Sequence, residues 1–136
     1  QLAPSIDSTI PLEEKIEILV NTMNATNKLK VYYRLDEFTQ PVSNDVQLTL
    51  YRILQEQFNN IVKYAKASSV FISVRNNRDN IQMSIKDDGE GFNLSAKKNG
   101  IGFENIRRRV QVLDGQVKIF SAPGDGCEVN VQIPFR

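Results

Sequence analysis

The stretch IQMSIKDDGEGF, residues 81–92, decides the predicted fold, because one alternation runs through it from an apolar strand into an acidic loop. Ile81, Met83 and Ile85 recur at every second position, which predicts a strand with one buried face. Asp87 continues this alternation, so its carboxylate is predicted to point inward at the end of the strand. A buried carboxylate is unfavourable unless a hydrogen-bond donor faces it. The stretch therefore predicts a binding site for a donor group.

The acidic glycine loop that ends this stretch is unsuited to phosphate, because its carboxylates would repel an anion. We instead expect Asp87 to accept a hydrogen bond from the exocyclic amine of a flat heterocycle such as a nucleotide base. Asp88 is predicted to point outward and Glu90 to face water. Gly89 and Gly91, which lack a Cβ atom, would let the backbone pass close to the ring. An ordinary acidic turn after a strand is the alternative, since such turns have the same composition.

Residues 46–66 form the longest predicted helix, and its two faces differ sharply. Opposite the apolar face, Glu56, Asn60 and Lys63 fall within an arc of roughly 60°. Carboxylate and carboxamide oxygens suit Mg²⁺, and an ammonium group suits a phosphate oxygen. The alternative is a solvated helix face with ordinary pairing between neighbouring turns. The apolar face is formed by Leu50, Ile53, Leu54, Phe58, Ile61 and Ala65.

A second glycine loop, KNGIGF, differs from the first because it has no acid. Gly100 and Gly102 come directly before a helix predicted for residues 103–113. Free N–H groups at the start of a helix attract anions, and Lys97 and Lys98 add positive charge just upstream. We therefore predict that this loop, rather than the acidic one, binds phosphate. A glycine loop that only begins a helix is the alternative.

The remaining segments complete the predicted order α-β-α-β-β-loop-α-β-β. This order indicates an α/β sandwich: a mixed, mostly antiparallel sheet of about five strands, with three main helices on one face. Residues 1–11 contain prolines without periodicity and are interpreted as a connector. The other predictions are a helix at 12–23 and strands at 29–35, 68–76, 116–121 and 127–134.

Composition restricts the function classes. The length of 136 residues fits one domain, and the net charge of +1 gives no electrostatic reason to expect nucleic acid. The chain contains no histidine, so no phosphoacceptor histidine lies within it. Cys127 has neither a disulfide partner nor a histidine base, and we do not interpret it as a nucleophile. Because the chain begins at Gln1, we expect it to be part of a longer protein.

Three motifs resemble the ATP-binding domains of histidine kinases when they are taken together. EQFNNIVKYAKA resembles the N box, E-x-x-x-N-x-x-K-[HY]-A. DDGEGF resembles the G1 box, D-x-G-x-G, and GIGFENIRRRV resembles the G2 box, G-x-G-[LF]-x-N-[IM]-x-x-R. With the closing segment SAPGDGCEVNVQIP, the resemblance covers residues 56–134. It is strongest to the sensor-kinase subfamily that acts on NarL-type response regulators.

This resemblance implies the Bergerat-type fold of gyrase, chaperone, kinase and mismatch-repair ATPases over residues 12–136. It implies a catalytic group of Glu56, Asn60 and Lys63, with Mg²⁺ held by Asn60 and Glu56. Asp87 would bind the adenine amine, and residues 90–102 would form an ATP lid. The implied ATP-binding residues are Asn60, Lys63, Tyr64, Asp87, Gly89, Gly91, Phe92, Gly100, Ile101, Gly102 and Phe103.

Two positions depart from the usual pattern of these boxes. Phe103 stands where leucine is commoner, which is a mild change. Cys127 stands where threonine or serine is common, and a thiol is the poorer hydrogen-bond partner. A contact to the adenine side through this position is therefore weaker than the family pattern implies.

The resemblance also implies the partners. The γ-phosphoryl group of ATP would pass to a histidine in a dimerisation domain outside this chain, and then to the receiver domain of a response regulator. The full-length protein would be a homodimer with this domain in the cytoplasm, either soluble or anchored in the inner membrane. The rival hypotheses are an anti-sigma-factor-type serine kinase, a nucleotide-binding module without transfer activity, and an adaptor without a ligand.

Overall fold

The computed structural model describes residues 10–93 and 102–135, which form one sheet and three α-helices in the predicted order. The predicted connector lies outside these residues except for positions 10 and 11. Among the described residues, no helix is long and apolar enough to span a membrane. The helices are α1 Leu12–Asn24, α2 Asn44–Asn60 and α3 Glu104–Val112; the strands are β1 Lys30–Leu35, β2 Ser69–Asn76, β3 Asn80–Asp87, β4 Gln116–Ser121 and β5 Cys127–Pro134.

The sheet is mixed and mostly antiparallel, as the sequence predicts. Its strand order is β1-β2-β3-β5-β4, and among these five described strands only β1 and β2 pair in parallel. Strand β3 lies in the centre, between β2 and β5. Its last residue, Asp87, stands opposite Val70 of β2 and Cys127 of β5. The register thus places the acid in the interior of the sheet rather than at an edge.

The buried face of β3 has the predicted alternation. Ile81, Met83 and Ile85 are at most 1 % exposed, and Asp87 is only 2 % exposed. Burying each large apolar side chain contributes about 1.5–3 kcal/mol, which is enough to fix the register of a central strand. The helices cover this face and contact one another through α1 with α2 and α2 with α3.

Helix α2 begins as predicted and ends differently. The Ser43 hydroxyl accepts a hydrogen bond from the backbone N–H of Val46 at 3.2 Å, which caps the first turn. After Asn60 the helix widens into a π-helical turn, Ile61–Ala65, where the sequence predicted a regular helix. The Ala65 carbonyl at the end of this turn accepts the backbone N–H of Glu90 at 2.8 Å. The end of the helix is therefore attached to the acidic glycine loop.

Candidate functional site

A cavity of about 210 Å³ lies between the end of α2 and the end of β3. It brings together residues that the sequence predicted separately from the N box, the G1 box and the G2 box. The predicted site residues that line it are Asn60, Tyr64, Asp87, Gly91, Phe92 and Phe103; the further lining residues are Gln57, Ile61, Ala65, Glu90 and Cys127.

Asp87 points into this cavity, and one of its two carboxylate oxygens accepts no hydrogen bond from the described residues. Its Oδ1 accepts the backbone N–H of Gly89 at 2.8 Å. Its Oδ2 is buried and has no hydrogen-bond partner among the described residues. Burial raises the pKa of this carboxyl, although backbone N–H groups of Gly89 and Cys127 oppose the shift and the charge of Asp88 adds to it. A ligand that donates one hydrogen bond here would satisfy the free oxygen.

The neighbouring acid, Asp88, has a different role. It is exposed, as predicted, but its Oδ1 accepts the backbone N–H groups of Ser68 and Ser69 at 2.8 and 2.9 Å. These bonds attach the end of β3 to the beginning of β2. The alternation of the strand predicted the direction of Asp88, but not these two bonds.

The glycines of the acidic loop are required mainly by backbone packing. A Cβ atom on Gly89 would overlap the carbonyl oxygen of Ala65, and one on Gly91 would overlap that of Ala122. Gly91 also has a positive φ of 68°, which favours glycine. Gly91 lines the cavity. Gly89 is not one of the lining residues, and it donates its backbone N–H to the Oδ1 atom of Asp87. The two glycines therefore shape the site through the backbone.

Gln57 is a cavity residue that sequence reasoning missed. It is 2 % exposed although it is polar. Its Nε2 donates to the Cys127 Sγ atom at 4.0 Å, and its Oε1 accepts the Asn60 Nδ2 group at 3.1 Å. The sequence does contain a signal: Gln57 lies three residues after Leu54 and four before Ile61, so it is a polar residue on the apolar helix face.

Cys127 stands opposite Asp87 in the pairing of β5 with β3 and is 6 % exposed. Burial raises the pKa of its thiol to about 12, and the negative charge of Asp87 contributes to the shift. The thiol is therefore neutral at ordinary pH and unsuited to act as a nucleophile, in agreement with the sequence interpretation.

The three polar side chains predicted to share one face of α2 lie in different surroundings. Asn60 lines the cavity, whereas the Lys63 side chain is exposed. Glu56 lines a separate groove, where its Oε1 lies 3.9 Å from the Nη2 atom of Arg109 on α3. The sequence placed Glu56, Asn60 and Lys63 on one line by assuming a regular helix. The π-helical turn from Ile61 onward changes the spacing on which that line depends.

The predicted phosphate loop lies partly outside the described residues. Gly100, Ile101 and the upstream residues Lys97 and Lys98 are not among them. The described residues on either side of the undescribed stretch 94–101, Phe92 in the acidic loop and Phe103 at the start of α3, contact each other. The rings of Phe92 and Phe103 stack with centroids 6.0 Å apart and planes 20° apart. Gly102 is exposed directly before α3, and no atom of the described residues lies within 4 Å of a Cβ built on it. The aromatic pair therefore brings the two sides of this stretch together beside the cavity.

Comparisons with known proteins show which family this chain is similar to. Residues 45–136 match the family of histidine kinase-, DNA gyrase B- and HSP90-like ATPases. The chain is 29 % identical over 136 residues to the sensor histidine kinase ComP of Bacillus subtilis. It is 26 % identical over 137 residues to the oxygen sensor histidine kinase NreB of Staphylococcus carnosus. It spans 18 % and 40 % of the lengths of these two relatives.

Solved structures show the same fold. The histidine kinase domain of a blue-light activated histidine kinase from Erythrobacter litoralis matches 99 % of this chain, with a TM-score of 0.76 and 21 % identity; the chain covers 66 % of that domain. The Acinetobacter baumannii histidine kinase AdeS matches 93 %, with a TM-score of 0.70 and 18 % identity; the chain covers 66 % of it. The match over residues 45–136, which is more than half of the chain, shows that the chain belongs to the histidine kinase-, DNA gyrase B- and HSP90-like ATPases.

Proposed function

We propose that this chain is the catalytic domain of a two-component sensor kinase, and that it binds Mg·ATP and donates the γ-phosphoryl group to a histidine outside the chain. The observation that carries the proposal is the Oδ2 atom of Asp87, which is buried at the wall of a cavity and has no hydrogen-bond partner among residues 10–93 and 102–135. The exocyclic amine of adenine is a donor of the required kind. It would remove the unfavourable free energy of a buried acceptor without a partner.

The remaining walls of the cavity suit a flat base. Ile61 and Phe92 supply apolar surface, and Tyr64, which is 38 % exposed, stands at the rim near the nucleotide. Gly91 allows close approach of the loop backbone. The Cys127 thiol offers only a weak hydrogen bond, so Asp87 would supply most of the preference for adenine.

The residues at the other end of the cavity fit a metal-bound triphosphate. Within the described residues, Asn60 Oδ1 accepts no hydrogen bond, and an amide oxygen is a suitable ligand for Mg²⁺. Glu56 lies in the neighbouring groove against Arg109, and it would turn from Arg109 to stand beside the metal. Lys63 is exposed and would bind a phosphate oxygen, and residues 100–103 would line the phosphates. When bound, Mg²⁺ neutralises charge on the phosphates.

The chemistry proposed for these residues is positioning and charge compensation. A histidine nitrogen would form a bond to the γ-phosphorus while the bond from that phosphorus to the bridging oxygen breaks, and ADP leaves with the electron pair. This chain contains no histidine, so the acceptor must lie in another domain. The phosphoryl group would then pass to an aspartate of a response-regulator receiver domain.

The partners and the location follow from this assignment. The dimerisation domain would carry the histidine, and the full-length protein would be a homodimer. The named relatives are sensor histidine kinases that are much longer than this chain, which supports the view that it works as one part of such a protein. We place the domain in the cytoplasm, where ATP is available, with the full-length protein soluble or anchored in the inner membrane.

Thermal unfolding with and without Mg·ATP tests the binding half of the proposal. ATP at 100 times its dissociation constant should raise the free energy of unfolding by about 2.7 kcal/mol, and a melting temperature that ATP does not change would favour an adaptor without a ligand.

Labelled ATP and the phosphoacceptor domain of the full-length protein test transfer. Acid-labile phosphate on histidine supports the proposal. Acid-stable phosphate on serine indicates a serine kinase, and binding without transfer indicates a nucleotide-binding module.

A further inference from the structure

The carboxamide of Gln57 is the most unusual polar group of the cavity, because it is fully buried on the apolar face of α2. We propose that Gln57 is a positioning residue: it holds the carboxamide of Asn60 with the oxygen toward the cavity, and so presents that oxygen to a nucleotide-bound divalent cation. This inference rests on the proposed function, because it specifies how the metal end of the same site is prepared.

The direction of one hydrogen bond carries the argument. Asn60 donates through Nδ2 to Gln57 Oε1 at 3.1 Å. A carboxamide has one oxygen and one NH₂ group, so an Asn60 that donates to Gln57 has its oxygen left for another partner. Within the described residues, Oδ1 of Asn60 accepts no hydrogen bond. A flipped Asn60 would place two acceptor oxygens against each other and would turn its NH₂ group toward the cation, which repels it.

The orientation of Gln57 is coupled to that of Asn60. Its Nε2 group faces the Cys127 Sγ atom at 4.0 Å, on the side of the cavity where Asp87 lies. If Gln57 alone were flipped, its NH₂ group would face the NH₂ group of Asn60, and its oxygen would face the sulfur of Cys127. The two NH₂ groups are both donors, so neither would have an acceptor there unless Asn60 also flipped. Both amides therefore turn together or not at all. Because Gln57 is only 2 % exposed, bulk water contributes little to its hydrogen bonding.

This arrangement connects the two ends of the cavity through side chains. Cys127 and Asp87 form the base end, Gln57 lies between, and Asn60 forms the metal end. A residue that orients a metal ligand without touching the metal usually changes metal affinity rather than fold. Gln57 should therefore affect the gain in nucleotide affinity that Mg²⁺ produces, more than the affinity for nucleotide alone.

Titration calorimetry of Gln57→Leu with ATP, in Mg²⁺ and in EDTA, tests this role. Leucine fills a similar volume but neither accepts from Asn60 nor donates to Cys127. We expect the Mg²⁺-dependent gain in affinity to fall about fivefold, the effect of one neutral hydrogen bond, while the affinity in EDTA changes less than about twofold. The matched control is Gln55→Leu, the same substitution on the same helix outside the cavity, where Gln55 bonds to Arg52 and Tyr51. It should leave both affinities unchanged.

The outcomes separate this inference from the proposed function. A full Mg²⁺-dependent gain in Gln57→Leu, or equal losses in Mg²⁺ and EDTA, overturns the role of Gln57 alone. A wild-type domain that binds ATP without any gain from Mg²⁺ overturns both this role and the proposed metal site. Should Gln57→Leu fail to fold, Gln57→Met replaces it, since a flexible thioether fills the space with only a weak acceptor.

Discussion

The proposed base end of the cavity, at Asp87 and Cys127, and its proposed phosphate end, where Asn60 and Lys63 would bind Mg²⁺ and phosphate, are built in different ways. At the base end, Asp87 and Cys127 are 2 % and 6 % exposed, and backbone pairing between β3 and β5 holds them opposite each other. At the phosphate end, Lys63 and Gly102 are exposed. The first end is prepared by the register of the sheet, and the second by side chains and a loop border at the surface.

This difference predicts which kind of ligand contact each end provides. A hydrogen bond to a buried carboxylate is strong and directional, because water does not compete for it. Exposed cations act in a medium of high dielectric and are screened by salt. Substitutions at the base end should therefore weaken nucleoside and nucleotide binding equally. Substitutions at the phosphate end should reduce only the additional affinity that phosphates and Mg²⁺ contribute.

Asp87→Asn should have the largest effect on binding. If asparagine keeps its oxygen on the Gly89 N–H group, its NH₂ group replaces Oδ2 and faces the adenine amine, so a donor meets a donor. We expect ATP and adenosine to bind about 100-fold more weakly, which corresponds to the loss of one hydrogen bond to a charged group. Titration calorimetry with both ligands measures this. An intact affinity for adenosine would place the base elsewhere and break the comparison.

The same variant should change how stability depends on pH. The folded-state pKa of Asp87 is raised by burial above its ordinary value of 3.8. The stability that its neutral form contributes is therefore fully present below pH 3.8 and is lost as the pH rises through the raised pKa. Relative to Asp87→Asn, the ligand-free wild type should become less stable from pH 4 to pH 7 in urea unfolding. A parallel pH dependence of the two proteins contradicts the desolvated carboxylate.

Asn60→Ala should have an intermediate effect that is confined to the metal. Without an amide oxygen, the affinity for Mg·ATP should fall about tenfold, or about 1.4 kcal/mol, while the affinity in EDTA changes little. The measurement is titration with ATP in Mg²⁺ and in EDTA, and Asn59→Ala is the control because Asn59 is exposed outside the cavity. Equal losses in the two media would remove Asn60 from the metal site.

Periodicity predicted the base end well because strand alternation is a local property. The inward direction of Asp87 and the outward direction of Asp88 both follow from counting along β3. The partners of these acids do not follow, because Asp88 binds backbone groups 19 and 20 residues away. Gln57 and Cys127 are separated by 70 residues, so only the packing of α2 on the sheet brings them together.

The phosphate end was harder to predict because it depends on helix geometry beyond the periodic part. A regular helix would align Glu56 with Lys63, but the helix widens at Ile61–Ala65. The carbonyl of Ala65, at the end of this widened turn, accepts a hydrogen bond from the backbone N–H of Glu90. No local propensity of the sequence predicts this contact between the helix end and the acidic loop. Glu56 contacts Arg109 only because α3 packs against α2.

Asp88→Ala should affect stability rather than binding, which sharpens the contrast with its neighbour. It removes the acceptor for two backbone N–H groups at the β2–β3 end, and we expect a loss of about 1 kcal/mol because the site is exposed. Asp88→Asn keeps an amide oxygen in the same place and should lose less. Urea unfolding measures the stability, and ATP affinity should stay within about twofold of the wild type in both variants. A large loss of affinity would show that the two acids act together.

The smallest effect should come from the contact between Glu56 and Arg109. The two side chains are 29 % and 39 % exposed and 3.9 Å apart, so their coupling should be below about 0.5 kcal/mol. A double-mutant cycle of Glu56→Gln and Arg109→Gln in urea unfolding measures it. Weak coupling would leave Glu56 free to turn from Arg109 toward a bound nucleotide, and Glu56→Gln should then slow phosphoryl transfer without lowering stability. A coupling well above 1 kcal/mol would instead mean that Glu56 is held as firmly as Asp87, and the two ends would no longer differ in how they are built.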